Sequence, residues 1–187
     1  LWSRGLGDVY KRQVKKHAEA IKVGEGMGEG VEMGPVISAK AKDRIVGLID
    51  DAEKRGSKVV LDGRGLTVPG YENGHFLGPT VLDDVPLDAP VYTEEVFGPV
   101  LAIVHADTYE EALKIVNAQP FGNGSAIFTN DGGVARRFTL DVEAGMVGVN
   151  VPIPTPVAFY SFGGWKESLL GDTHIHGSRR RYLLHPC

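Results

Sequence analysis

The chain has 187 residues, 42% of them hydrophobic and 24% charged, with a formal net charge of −4. That is enough for one domain with a real core and at most two small ones, and the charge gives no broad basic surface for nucleic acid. No apolar run reaches the length of a membrane span and no signal peptide is visible; the single cysteine, Cys187, excludes an internal disulfide framework and fits a reducing compartment.

Residues 1–13 show no clear periodicity and read as a frayed or foreign leader. A short helical segment runs from Val14 to Lys22 and stops at Gly24. The following Gly24-Glu25-Gly26-Met27-Gly28-Glu29-Gly30 spaces its glycines like a dinucleotide loop. No strand precedes it, however, and its two glutamates would repel a pyrophosphate, so a flexible connector is expected. Ser38 can cap the next helix, whose Ile45, Leu48, Ile49 and Ala52 form one buried stripe and which Gly56 ends. Ser57 to Leu61 reads as a strand and Asp62 to Gly74 as a surface loop. His75 to Val81 reads as an extended segment broken by Pro79.

Glu94-Glu95-Val96-Phe97-Gly98-Pro99-Val100 leads into an apolar strand over Val100 to Val104. In an extended segment residues two apart share a face, so Glu95 and Phe97 would present a carboxylate and a ring together. Such a pair suits a ligand with hydroxyls beside a flat heterocycle; the alternative is a strand entry with exposed acids. Thr108 and Glu111 form a capping box, with Tyr109, Ala112, Leu113 and Val116 as the buried face. Ser125 to Thr129 is a strand, Val134 and Phe138 mark a helix ended by Gly145, and Met146 to Val151 is a strand. The β-α-β-α-β alternation predicts a parallel sheet with right-handed crossovers.

Ligands in open α/β sheets sit beyond the carboxyl ends of strands. The stretch Asn150 to Lys166 follows the last strand there, with alternate prolines that forbid helix and four aromatics within seven residues. It is a candidate pocket wall, or else a rigid crossover packed on a neighbour. His174 and His176 could share an ion, but no clustered Cys, His or Asp completes a metal site. Lys166 reads as a surface lysine, and Arg179 to Arg181 as solvated charges.

Several ordered motifs resemble the NAD-dependent aldehyde dehydrogenase superfamily: Met33-Gly34-Pro35-Val36-Ile37, Gly74 to Thr80, Glu95-Val96-Phe97-Gly98-Pro99 and Phe121 to Thr129. Gly148 to Pro154, Ser161 to Lys166 and Gly171 to Gly177 are similar to its CoA-acylating methylmalonate-semialdehyde dehydrogenases. The resemblance covers about Val14 to Gly177. It implies an α/β fold, namely part of the three-layer parallel sheet of the catalytic domain without the Rossmann cofactor domain. It also implies oxidation of malonate or methylmalonate semialdehyde with NAD, and acyl transfer from a cysteine thioester to CoA with loss of carbon dioxide.

By the same resemblance Glu95 would accept hydrogen bonds from the nicotinamide-ribose hydroxyls and Phe97 would pack beside the nicotinamide. Phe162 and Phe159 would line the aldehyde pocket. The full-length enzyme would be a dimer or tetramer in the cytoplasm, or in the mitochondrial matrix of a eukaryote, without nucleic-acid or membrane partners. The family's nucleophilic cysteine precedes the Val14 helix, so the chain is expected to lack it, and Cys187 is not its equivalent. Residues 1–13 and 178–187 depart from the pattern, which suggests a partial sequence with non-family ends and no activity alone. A hydrolytic aldehyde dehydrogenase and a non-catalytic module that kept the fold are the alternatives.

Overall fold

Buried apolar stripes on one helix and one central strand organise the first half of the chain. The computed structural model describes residues 4–155 and 163–169. The chain divides at His105 and Ala106 into two units, each with its own strands and core. It is α/β, with elements in the order α1 (Arg4–Ala20), α2 (Ala39–Lys54), β1 (Lys58–Leu61), β2 (Thr80–Asp83), α3 (Pro90–Thr93), β3 (Val100–Ala102), α4 (Tyr109–Asn117), β4 (Phe121–Gly122), β5 (Gly124–Ile127), α5 (Gly132–Asp141), β6 (Met146–Val149) and β7 (Trp165–Lys166). No helix among the described residues is long and apolar enough to cross a membrane.

In the first unit, α1 begins at Arg4, ten residues before the helix expected from the sequence. Leu6, Tyr10, Val14, Ala18 and Ile21 recur at helical spacing, a period that Gly5 and Gly7 mask in the first turn. The glycine-rich stretch after α1 is not a loose connector. Its ends are tied by Gly24 N–H to Met33 O (3.0 Å) and Glu32 N–H to Lys22 O (2.9 Å), and inside it Gly28 N–H donates to Glu25 O (2.8 Å).

Helix α2 starts where Ser38 Oγ accepts from Ala41 N–H at 3.1 Å. It ends in a Schellman turn, with Ser57 N–H to Ala52 O and Gly56 N–H to Glu53 O, both 3.0 Å. Gly56 takes φ +101°, a conformation that a Cβ would oppose. Its Ile45, Leu48, Ile49 and Ala52 are buried, as their spacing predicts. They pack with Leu77, Leu82, Val85, Ala89 and Val91 into one core.

The first sheet has the order β1-β2-β3. β1 runs antiparallel to β2, and β2 runs parallel to β3. All four residues of β2 are buried. The strand starts at Thr80, since Pro79 has no N–H for a ladder, and continues past the expected Val81 to Asp83.

In the second unit, Thr108 Oγ1 accepts from Glu111 N–H at 3.1 Å, while the Glu111 carboxylate reaches back one residue further than a capping box requires, to Asp107 N–H at 2.9 Å. Asp131 caps α5 by accepting from Val134 N–H at 3.0 Å. That helix stops at Asp141 because Val142 turns extended, not at Gly145. The parallel pair β5–β6 encloses α5 in sequence, and β4–β7 is a separate antiparallel pair. Among the described residues, the single parallel sheet expected from Val100 onward is therefore corrected to three small sheets of mixed direction. β3 finds its parallel partner in β2, which precedes it in the chain, whereas the alternation placed its neighbour after α4. A core of Phe138, Val142 and Ala144 packs with Tyr109, Leu113, Ile127 and Val147.

Candidate functional site

Between α3 and β3 the chain crosses α2, and that crossing shapes the segment Glu94 to Pro99. Arg44, one residue before the buried Ile45, sends Nη1 to Val96 O (2.9 Å) and Nη2 to Glu95 O (2.8 Å). The same Nη2 lies 3.4 Å from Glu94 Oε2. Glu94 is thus an exposed ion-pair partner of Arg44. At Gly98 the main chain meets α2 directly, and an added Cβ would lie 2.6 Å from Ile45 Cδ1. Beyond it, Val100 N–H returns to Gly98 O and Thr80 N–H reaches Pro99 O, both at 2.8 Å.

Phe97 sits between these anchors with φ +51°. A bulky aromatic in the left-handed region costs on the order of 1–3 kcal/mol and persists only where its surroundings over-determine it. Its ring gains little burial in return, being 80% exposed. Glu95 is exposed as well. The rule that residues two apart share a face does not carry through Phe97, because the positive φ breaks the extended run. What remains is a carboxylate and an aromatic ring, both open to solvent, on a backbone held from both sides.

Phe159 and Phe162 lie outside the described residues, as do His174, His176, Arg179 to Arg181 and Cys187. Lys166 is not a free surface cation. It takes φ +56°, and its Nζ contacts Gln119 O (3.1 Å) and Glu143 Oε2 (2.9 Å) as well as Asn117 O, covering the carbonyl end of α4. Asn150, with φ +55°, exchanges two bonds with Thr129: Thr129 N–H to Oδ1 at 2.9 Å and Nδ2 to Thr129 O at 3.0 Å.

One charged cluster had no signal in the sequence. His105 Nε2 lies 2.6 Å from Asp83 Oδ1 and 3.3 Å from Asp84 Oδ1. Lys11 Nζ holds Asp83 Oδ2 at 2.8 Å and Lys58 Nζ holds Asp84 Oδ2 at 2.6 Å. Burial pushes the Asp83 carboxyl up, but hydrogen bonds from Lys11 and His105 outweigh it and keep the group below the usual carboxylate range. The three side chains could in principle ligate a cation. With two lysines already on the two carboxylates, the arrangement is a charge-paired tie between strands.

Arg44 was also missed. Its partners lie more than 50 residues away in the chain, so no local pattern announces them.

The sequence profile of the aldehyde dehydrogenase family matches residues 3–184. A malonate-semialdehyde dehydrogenase of Pseudomonas aeruginosa is 49% identical over 172 residues, 92% of this chain and 35% of that protein. A probable methylmalonate-semialdehyde/malonate-semialdehyde dehydrogenase (acylating, mitochondrial) of Drosophila melanogaster is 51% identical over 164 residues, 88% of this chain and 32% of its own length. Among solved structures, a putative methylmalonate-semialdehyde dehydrogenase from Sinorhizobium meliloti, complexed with NAD, superposes with a TM-score of 0.87 at 45% identity. It covers 93% of this chain and 36% of that one. The chain thus spans about a third of the length of the relatives it matches. A profile match over nearly every residue, and the same fold at such identity, leave one conclusion: the chain belongs to the aldehyde dehydrogenase family.

Proposed function

We propose that residues 14–177 are the C-terminal part of the catalytic domain of a CoA-acylating (methyl)malonate-semialdehyde dehydrogenase, within its three-layer sheet and apart from the Rossmann domain. The observation that carries this reading is the 49% identity, over 92% of the chain, to a malonate-semialdehyde dehydrogenase. The reaction takes a semialdehyde, NAD and CoA to acyl-CoA, NADH and carbon dioxide, giving propionyl-CoA from methylmalonate semialdehyde and acetyl-CoA from malonate semialdehyde. The enzyme works as a homo-oligomer in the cytoplasm, or in the mitochondrial matrix of a eukaryote.

The exposed pair on the clamped segment fits a dinucleotide by its chemistry. A carboxylate is an acceptor-only group, and Glu95 is the acceptor for the nicotinamide-ribose hydroxyls. Phe97 packs its open ring beside the nicotinamide and limits its movement; the left-handed backbone supports this role, since strain of that kind gathers at ligand clamps. NAD, when bound, supplies the hydride acceptor for aldehyde oxidation. Phe162 and Phe159 line the aldehyde pocket. The nucleophile is a thiolate, and the only thiol of this chain, Cys187, follows the residues the family profile matches.

The test is NADH formation from malonate semialdehyde and NAD, with and without CoA. The full-length enzyme containing this sequence should require CoA for acetyl-CoA formation. The purified 187-residue chain should form no NADH. Turnover that ignores CoA would favour a hydrolytic enzyme, and activity of the chain alone would overturn its assignment as a part.

A further inference from the structure

Two side-chain contacts on the proposed dinucleotide seat come from one residue of α2, Arg44. One guanidinium holds two consecutive carbonyls, Glu95 O at 2.8 Å and Val96 O at 2.9 Å. In a regular strand consecutive carbonyls point to opposite sides, so two that meet one planar fork depart from that pattern, and the fork fixes the peptide planes on either side of Val96. The second of those planes ends at the nitrogen of Phe97. Its orientation bears directly on the φ of +51° at that residue. The first plane carries the main chain of Glu95. The Glu94 carboxylate, 3.4 Å from Nη2, gives the guanidinium a third partner, which is weak because both side chains are about half exposed.

We propose that Arg44 is a positioning residue for the nicotinamide-ribose seat: by clamping the carbonyls of Glu95 and Val96 it holds Glu95 and Phe97 in the orientation that NAD requires. This rests on the reading of Glu95 and Phe97 as cofactor-binding. Arg44 acts through the backbone, not by touching the cofactor. It stands on the exposed side of α2, next to Ile45, which is anchored in the core, so the clamp is carried by a rigid element.

The experiment uses the full-length enzyme containing this sequence, with Arg44→Met, Arg44→Lys, Glu95→Gln and the Arg44→Met/Glu95→Gln double variant. NAD affinity is measured by calorimetric titration, kinetics as kcat and KM for each substrate, and folding by the Tm of the unliganded protein. Arg44→Met should raise the NAD Kd and KM by about tenfold, the loss expected for removing charge-assisted hydrogen bonds. The aldehyde KM should stay within about twofold in that variant, well under a factor of ten that would signal a real loss of interaction. Arg44→Lys should fall between, since an ammonium replaces a fork with a point charge. In the double variant Arg44→Met should add little to Glu95→Gln, because the two act as one unit.

If Glu95→Gln weakens NAD and Arg44→Met does not, the clamp is wrong while the cofactor seat stands. If Glu95→Gln leaves NAD affinity unchanged, the seat itself is wrong and the clamp with it. Equal losses for NAD and aldehyde with a lowered Tm, or full additivity in the double variant, would make Arg44 a general structural residue and overturn the proposal.

Discussion

At Gly98 the main chain passes so near α2 that the absence of a side chain becomes a structural requirement. An added methyl would meet three atoms of Ile45, at 2.6, 3.1 and 3.3 Å, and Ile45 is only 1% exposed and cannot swing aside. Overpacking of this sort costs on the order of 1–3 kcal/mol. Gly98→Ala should therefore lower the Tm measurably and displace the Glu94 to Pro99 segment, raising the NAD KM in the full-length enzyme. Chemical denaturation of wild type and variant reads the first effect and steady-state kinetics the second. An unchanged midpoint would mean that the crossing is looser than described. Glu95 and Phe97 were legible as a motif, because a short string of residue types carries the resemblance. The strained backbone at Phe97 and the clamp from Arg44 were not. A positive φ at an aromatic has no signature in composition, and a side chain on one element bonding carbonyls on another leaves no periodic trace.

Among elements, α2 shows how far local chemistry can specify structure. A capping serine, a four-residue apolar stripe and a terminal glycine gave its start, its buried face and its end, and all three agree with the structure. Ser38→Ala should remove the bond to Ala41 N–H and destabilise the unit by about 1 kcal/mol, read by urea denaturation. A loss below the measurement error would mean that water replaces the cap. Helix α4 is a partial case. Its capping threonine is in place, but its apolar face is only half-buried, with Val116 37% exposed. Helix α1 was half-missed because glycines in its first turn hid a spacing that its later residues continue. β1, β3, β5 and β6 were read as strands and β5–β6 pair parallel across α5 as expected, but the pairing of β3 with β2 was not foreseen and β4 and β7 were not read as strands. Pairing depends on which surfaces meet after the helices pack, and a two-residue pair such as β4–β7 has too little sequence to carry a pattern.

For the whole molecule, family membership is carried by ordered motifs along the chain, by a profile match over residues 3–184 and by a shared fold with a TM-score of 0.87. The proposed chemistry needs groups beyond this chain, whose matched length is about a third of its relatives. Its own proposed contribution is the clamped segment that presents Glu95 and Phe97, and that proposal is open to direct measurement. In the full-length enzyme, calorimetric titration of NAD into Glu95→Gln should give a Kd at least about tenfold above wild type, as expected when a charged acceptor for ribose hydroxyls becomes neutral. The unliganded Tm should not change. A Kd indistinguishable from wild type would contradict the assignment of this segment to the cofactor.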